Sequence, residues 1–246
     1  MIAVFFKILN QSLKIIKKDP VILAPYLIYF LVTDTILEIV FQQTHLKSRI
    51  FFDWIIPLIL IHPWVVLMAV GLINKKTIPF RVQLSLILRH LGLFFTVTGI
   101  AQMLYGVSVY KISLIPMEAL SNAGVDAQTS INILWPAAMG FLLGMITVYL
   151  YPLVLTKKNK MSFWLAIKNA ISLFNQFKWI TMMFLIYFFM VFFVVKLIVL
   201  QGVVLLPSEF HQQFVKLLYA VERTIYFIVI LRLYLYIKPM ANLSDN

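Results

Sequence analysis

Residues 179–206 read WITMMFLIYFFMVFFVVKLIVLQGVVLL, with Lys196 the single charge in the run. About 20 helical residues cross the hydrocarbon of a bilayer, so this stretch is long enough to span. In lipid an unpaired backbone amide costs several kcal/mol, which forces such a run to be a helix. Working outward, five further runs have spanning length: 20–43, 51–73, 91–112, 132–156 and 215–237. The composition agrees. Hydrophobic residues make up 62% of the 246 and charged ones 12%, where soluble domains carry about 25% charged residues. Too little polar surface exists to cover a globule in water. The sequence therefore predicts an all-α membrane protein with six transmembrane helices in a single transmembrane domain, 1–246. Pro57, Pro63, Pro136 and Pro152 fall inside spans and predict local kinks.

Orientation follows from where lysine and arginine collect. Fourteen of them fall in the N-terminal segment, the second and fourth linkers and just after the last span; only Lys47, Arg49, Lys111 and Lys216 fall on the other side. The excess marks the cytoplasmic face, so both termini are expected there. The net charge of +12 forms no stripe and accompanies no nucleic-acid-binding signature, so anionic lipid is the expected partner and nucleic acid is not. No small-residue cleavage site follows the first apolar run, which reads as a retained span. Cysteine is absent, which removes disulfides, thiolate metal sites and cysteine nucleophiles.

Three basic segments share an amphipathic pattern: VFFKILNQSLKIIKK from Val4, IPFRVQLSLILRHLG from Ile78 and SFWLAIKNAISLFNQ from Ser162. In the third, Phe163, Ile167, Ala170, Ile171 and Phe174 recur at helical spacing, with Lys168, Asn169 and Asn175 off that face. Such helices lie in the headgroup plane. Each precedes two spans, which predicts a pseudo-threefold repeat of in-plane helix, span, span, with units of about 1–74, 75–157 and 158–246. Lys14, Lys17, Lys18, Lys168 and Arg232 are the expected headgroup contacts.

Two stretches resemble the YciC-type family of bacterial inner-membrane proteins, which have six spans and nearly this length. One is YLYPLVLTKKNKMSFWLAIKNAISLFNQFKWITMMFL from Tyr149, similar to the family's proline-bearing span end, polar turn, amphipathic helix and new span. The other is IYFIVILRLYLYIK from Ile225, similar to its arginine-bearing last helix. The N-terminal IIKKDPVILAPYLIYF resembles membrane domains fused to some glycerophosphodiesterases. The chain departs from the pattern in lacking glycine-rich span ends. The resemblance implies a bacterial inner membrane and brings no catalytic residues with it.

Ionisable groups inside spans are the candidate site, because each costs about 2.5–3.5 kcal/mol to insert at mid-membrane. Asp34 and Glu38 lie four apart in the first span, Lys196 in the fifth, and Glu222 and Arg223 in the sixth. Counted from the cytoplasmic ends, the five share one depth and suggest an intramembrane ionic network. Two readings fit: a polar path, or ion pairs that set helix register. The four histidines have no metal-ligand spacing, no serine sits in a nucleophile elbow and no phosphate-binding loop is present, so neither metal nor cofactor is expected. Gly140 and Gly144 allow close helix approach in the fourth span. The function expected is non-enzymatic: handling of lipid or a small hydrophobic cargo, or scaffolding of envelope assembly. The alternative is a permease subunit working with a separate ATPase, with which a co-purifying nucleotide-binding subunit would fit.

Overall fold

The computed structural model describes residues 2–40, 60–113, 147–156, 161–203 and 207–241. Helices account for nearly all of them, and no strand occurs among them. They are α1 (Ile2–Lys18), α2 (Ala24–Val40), α3 (His62–Ile73), α4 (Phe80–Ser113), α5 (Leu150–Thr156), α6 (Phe163–Val203) and α7 (Ser208–Ile237), with 3-10 turns at Pro20–Leu23, Thr147–Tyr149 and Lys238–Met240. Residues 41–59 and 114–146 lie outside the described residues, and with them Pro57, Pro136, Gly140, Gly144 and parts of the expected spans 51–73 and 132–156.

α7 is at the centre of the described residues. It packs against α1, α2, α3, α5 and α6. From Thr224 to Tyr234 its side chains are buried on every side, Tyr226 and Arg232 being half-buried. A helix apolar all round is stable only inside other apolar groups. α6 is the opposite case. Between Phe163 and Val199 it is long and apolar enough to cross a membrane, yet only 22% of its most apolar stretch is buried inside the molecule. Met190, Phe193 and Ile198 are each more than 60% exposed. That face is favourable against hydrocarbon and costly against water.

The amphipathic segments differ from expectation in how they join their spans. α1 is a separate helix, ended by Asp19-Pro20, where the Asp19 carboxylate accepts from Val21 N–H at 3.3 Å and proline opens a 3-10 turn. The second segment is continuous with the helix that follows, and the third meets its span at a kink. α4 runs unbroken from Phe80 to Ser113, about 50 Å at 1.5 Å per residue. α6 is two helices joined across a kink at Phe177 (φ −116°, ψ 22°), which sets the third amphipathic segment off from the apolar stretch after it. The junction inside α4 holds no Asp-Pro, so its backbone hydrogen bonds need not stop.

Two prolines act where they were expected to. A wide π-type turn at Leu60–Ile61 precedes Pro63, and the 3-10 turn Thr147–Tyr149 precedes Pro152; each accommodates the missing N–H. α3 closes in a tight turn. Lys75, at φ 52°, lets Lys76 N–H bond Gly71 C=O at 2.9 Å and Lys75 N–H bond Leu72 C=O at 3.3 Å.

One face was misread. Asn169, expected off the apolar side, is buried, and Ile171 is exposed. The inward face is Ala166, Asn169, Ala170 and Leu173, because small side chains let this segment sit close to the body. The bulky Phe163, Ile167 and Phe174 flank it, half-buried.

Candidate intramembrane polar site

α6 and α7 meet along a seam that carries the charged residues. Lys196 Nζ stands 2.5 Å from Glu222 Oε2, with the lysine side chain 34% and the glutamate 11% exposed. Lys196 also lies over the Tyr219 ring, 5.7 Å from its centre. On the next position of α7, Arg223 Nη2 donates to Tyr219 Oη at 2.5 Å, and its guanidinium stands 4.8 Å from the same ring. Arginine on a helix leans toward the N-terminus, which brings it to the residue one turn earlier. Tyr219 thus joins Lys196 and Arg223 through one ring.

Behind the seam the site continues inward through aromatic groups. Phe30 on α2 meets the Tyr219 ring edge-on at 6.1 Å and stacks with Tyr26 at 6.3 Å. Tyr26 stands 5.8 Å from the His62 ring, which packs on Phe227 at 4.2 Å. Tyr26 Oη and His62 Nδ1 are buried without a hydrogen-bond partner. Arg223 lies within electrostatic range of Tyr26, His62 and Tyr226. The positions Tyr219, Arg223 and Tyr226 follow helical spacing on one face of α7, a signal the ionisable residues alone did not reveal.

Among the five expected network residues, the structure joins Lys196 to Glu222 and sets Arg223 beside them. The side chains of Asp34 and Glu38 lie outside the described residues. Backbone register still fixes their level. The Phe30–Tyr219 contact pairs α2 with α7, and Asp34 lies four residues, about 6 Å, past Phe30. The same distance past Tyr219 on α7 reaches Val215 and Lys216, so Asp34 is level with those residues and Glu38 with His211. The last turns of α7 continue past Pro20 to pack on α1, so equal counts from the cytoplasmic ends of α2 and α7 do not mark equal levels.

Of the expected headgroup residues, Lys14, Lys17, Lys18 and Lys168 are exposed. Arg232 is placed otherwise. It is half-buried and its Nη1 donates to Gln11 Oε1 at 2.9 Å, so it clamps α1 to α7. Trp164 and Trp179 are 77% and 70% exposed, with Lys178 Nζ 6.0 Å from the Trp179 ring centre, while Trp64 packs on Phe80. Among the described residues no three His, Asp or Glu side chains gather as metal ligands would.

No family model, curated protein or solved structure matches this chain.

Proposed function

We propose that this chain is a non-enzymatic, six-span protein of a bacterial inner membrane, both termini cytoplasmic, that handles lipid or a small amphiphilic cargo along the α6–α7 seam. The observation that carries the reading is the Lys196–Glu222 pair, less than one turn along α6 from the exposed Phe193, with the lysine one-third and the glutamate about one-tenth open to the same surroundings. An ion pair facing hydrocarbon is costly. A polar headgroup drawn to that depth would offset the cost, with its chains lying along the exposed apolar face of α6. The repeat of amphipathic helix and two spans, and the likeness to YciC-type proteins, fit this role.

Native mass spectrometry of the protein released from membranes tests the reading. Lipid or another amphiphile is expected to stay bound to the wild type and to be lost in a Lys196→Leu, Glu222→Leu double variant that remains folded. Equal retention by both proteins, or none by the wild type, contradicts it. Co-purification of a nucleotide-binding subunit would instead support a permease.

A further inference from the structure

Among the described residues Arg223 has no carboxylate of its own. Lys196 and Glu222 already pair across the seam, so the three charges there leave one positive charge over, and Arg223 carries it. Its guanidinium makes a single hydrogen bond among the described residues, to Tyr219 Oη. By register Asp34 and Glu38 lie level with Lys216 and His211, about two turns of α7 or more from Arg223. An arginine offers five N–H groups, keeps its proton, and is costly inside a membrane without a counter-charge.

The groups around it offer the same chemistry. Tyr219 Oη accepts from Arg223 and keeps its own O–H to donate. Tyr26, on α2, is 1% exposed and its Oη has no hydrogen-bond partner. His62, at the start of α3, is 7% exposed and its Nδ1 is equally unbonded; that nitrogen donates in the tautomer protonated there. Both residues lie within electrostatic range of Arg223, and their rings stand 5.8 Å apart. Leaving such groups buried and unbonded is costly. Three helices thus bring donors, and no carboxylate, to one region. Donors without acceptors call for an oxyanion, and a guanidinium fork matches the several oxygens of a phosphate. Arg223 is half-buried and not sealed in, so a ligand can reach it.

We propose that Arg223, Tyr219, Tyr26 and His62 form a binding site for a phosphate group, carried either by a phospholipid or as the free anion. The inference rests on the reading of the seam as a cargo path and names the polar end of the cargo. Arg223 stands midway along α7 (Ser208–Ile237), about 20 Å from either end at 1.5 Å per residue. A phosphate held there is remote from both headgroup layers, in passage between them.

Isothermal titration calorimetry of the full chain in a phosphate-free, uncharged detergent tests the site with three probes: dioctanoyl phosphatidate, inorganic phosphate and dioctanoylglycerol. Phosphatidate is expected to bind the wild type. Arg223→Gln should weaken that binding at least about tenfold, and Tyr26→Phe, which keeps the ring but loses the hydroxyl, by about tenfold. Dioctanoylglycerol should respond to neither change. Inorganic phosphate that binds and competes identifies the free anion as ligand; phosphatidate binding with no competition identifies the lipid. Either result supports the site. If Arg223→Gln does not fold, Tyr26→Phe decides alone. No binding of either phosphate probe, or equal phosphatidate affinity in the wild type and the folded variants, overturns the site. The seam reading survives that failure if the wild type still retains an amphiphile in native mass spectrometry. Phosphate binding lost in Tyr26→Phe, by a chain that retains no amphiphile, removes the seam reading and leaves the site.

Discussion

Lys196 and Glu222 form a pair whose two halves are unequal in burial, and removing one partner is not the mirror image of removing the other. Loss of the lysine strands a largely buried carboxylate in the seam, whereas loss of the glutamate leaves a lysine one-third exposed and free to extend. Lys196→Leu should cost about 2–3 kcal/mol, below the 3–5 typical of a fully buried pair. Glu222→Leu should cost less, and the double variant should recover most of the loss, all read by unfolding in detergent micelles. Asp34 gives a second test at this scale. Its level on α2 matches Lys216, so Asp34→Lys with Lys216→Asp should restore stability lost in either single change, and Asp34→Lys with Lys196→Asp should not. Rescue by Lys196 alone would overturn the register. The sequence displayed these charges plainly, since apolar runs leave few places for an ionisable group to hide. Their relative depth was not legible, because nothing in the letters says that α7 runs past Pro20 onto α1.

The bend in α6 shows how an element is shaped by contacts from outside it. Thr181 Oγ1 donates to Phe177 C=O at 2.9 Å, one turn back, which leaves Tyr149 Oη to donate to Thr181 at 2.5 Å. A hydroxyl bonded to the preceding turn opens a helix locally, and here a tyrosine from the 3-10 turn before α5 holds it. Thr181→Val should cost about 1–3 kcal/mol, because it leaves the buried Tyr149 hydroxyl unpaired; Tyr149→Phe should cost only about 0.5–1.5. The opposite ranking in thermal unfolding would show that the hydroxyl pair does not hold the bend. At the end of α3, Lys75→Gly should add about 1 kcal/mol by relieving the left-handed backbone, while Gly71→Ala should destabilise, since its added carbon would sit 2.7 Å from Lys76 C=O. The Asp19-Pro20 break was readable from two letters. The bend at Phe177 was not, because its cause lies some thirty residues earlier in the chain.

At the scale of the whole molecule the last helix is the core and the most apolar one is the wall. Residues 179–206 carry a single charge, yet α6 turns most of its apolar surface outward. The more mixed α7, with Glu222, Arg223 and Arg232, is enclosed by five other helices. In water such an arrangement would be inverted; in lipid the outer wall needs apolar groups and the centre can hold polar ones. The all-helical class was legible from run length, whereas which helix sits inside depends on pairings that periodicity does not encode.

That the chain crosses a bilayer with its basic segments on the cytoplasmic side is most directly tested by labelling single cysteines in intact cells with a membrane-impermeant maleimide. The account predicts that Phe210→Cys, at the start of α7, reacts from outside, while Lys76→Cys and Lys168→Cys react only after the membrane is opened. Labelling of Lys168→Cys in intact cells as readily as Phe210→Cys would contradict it.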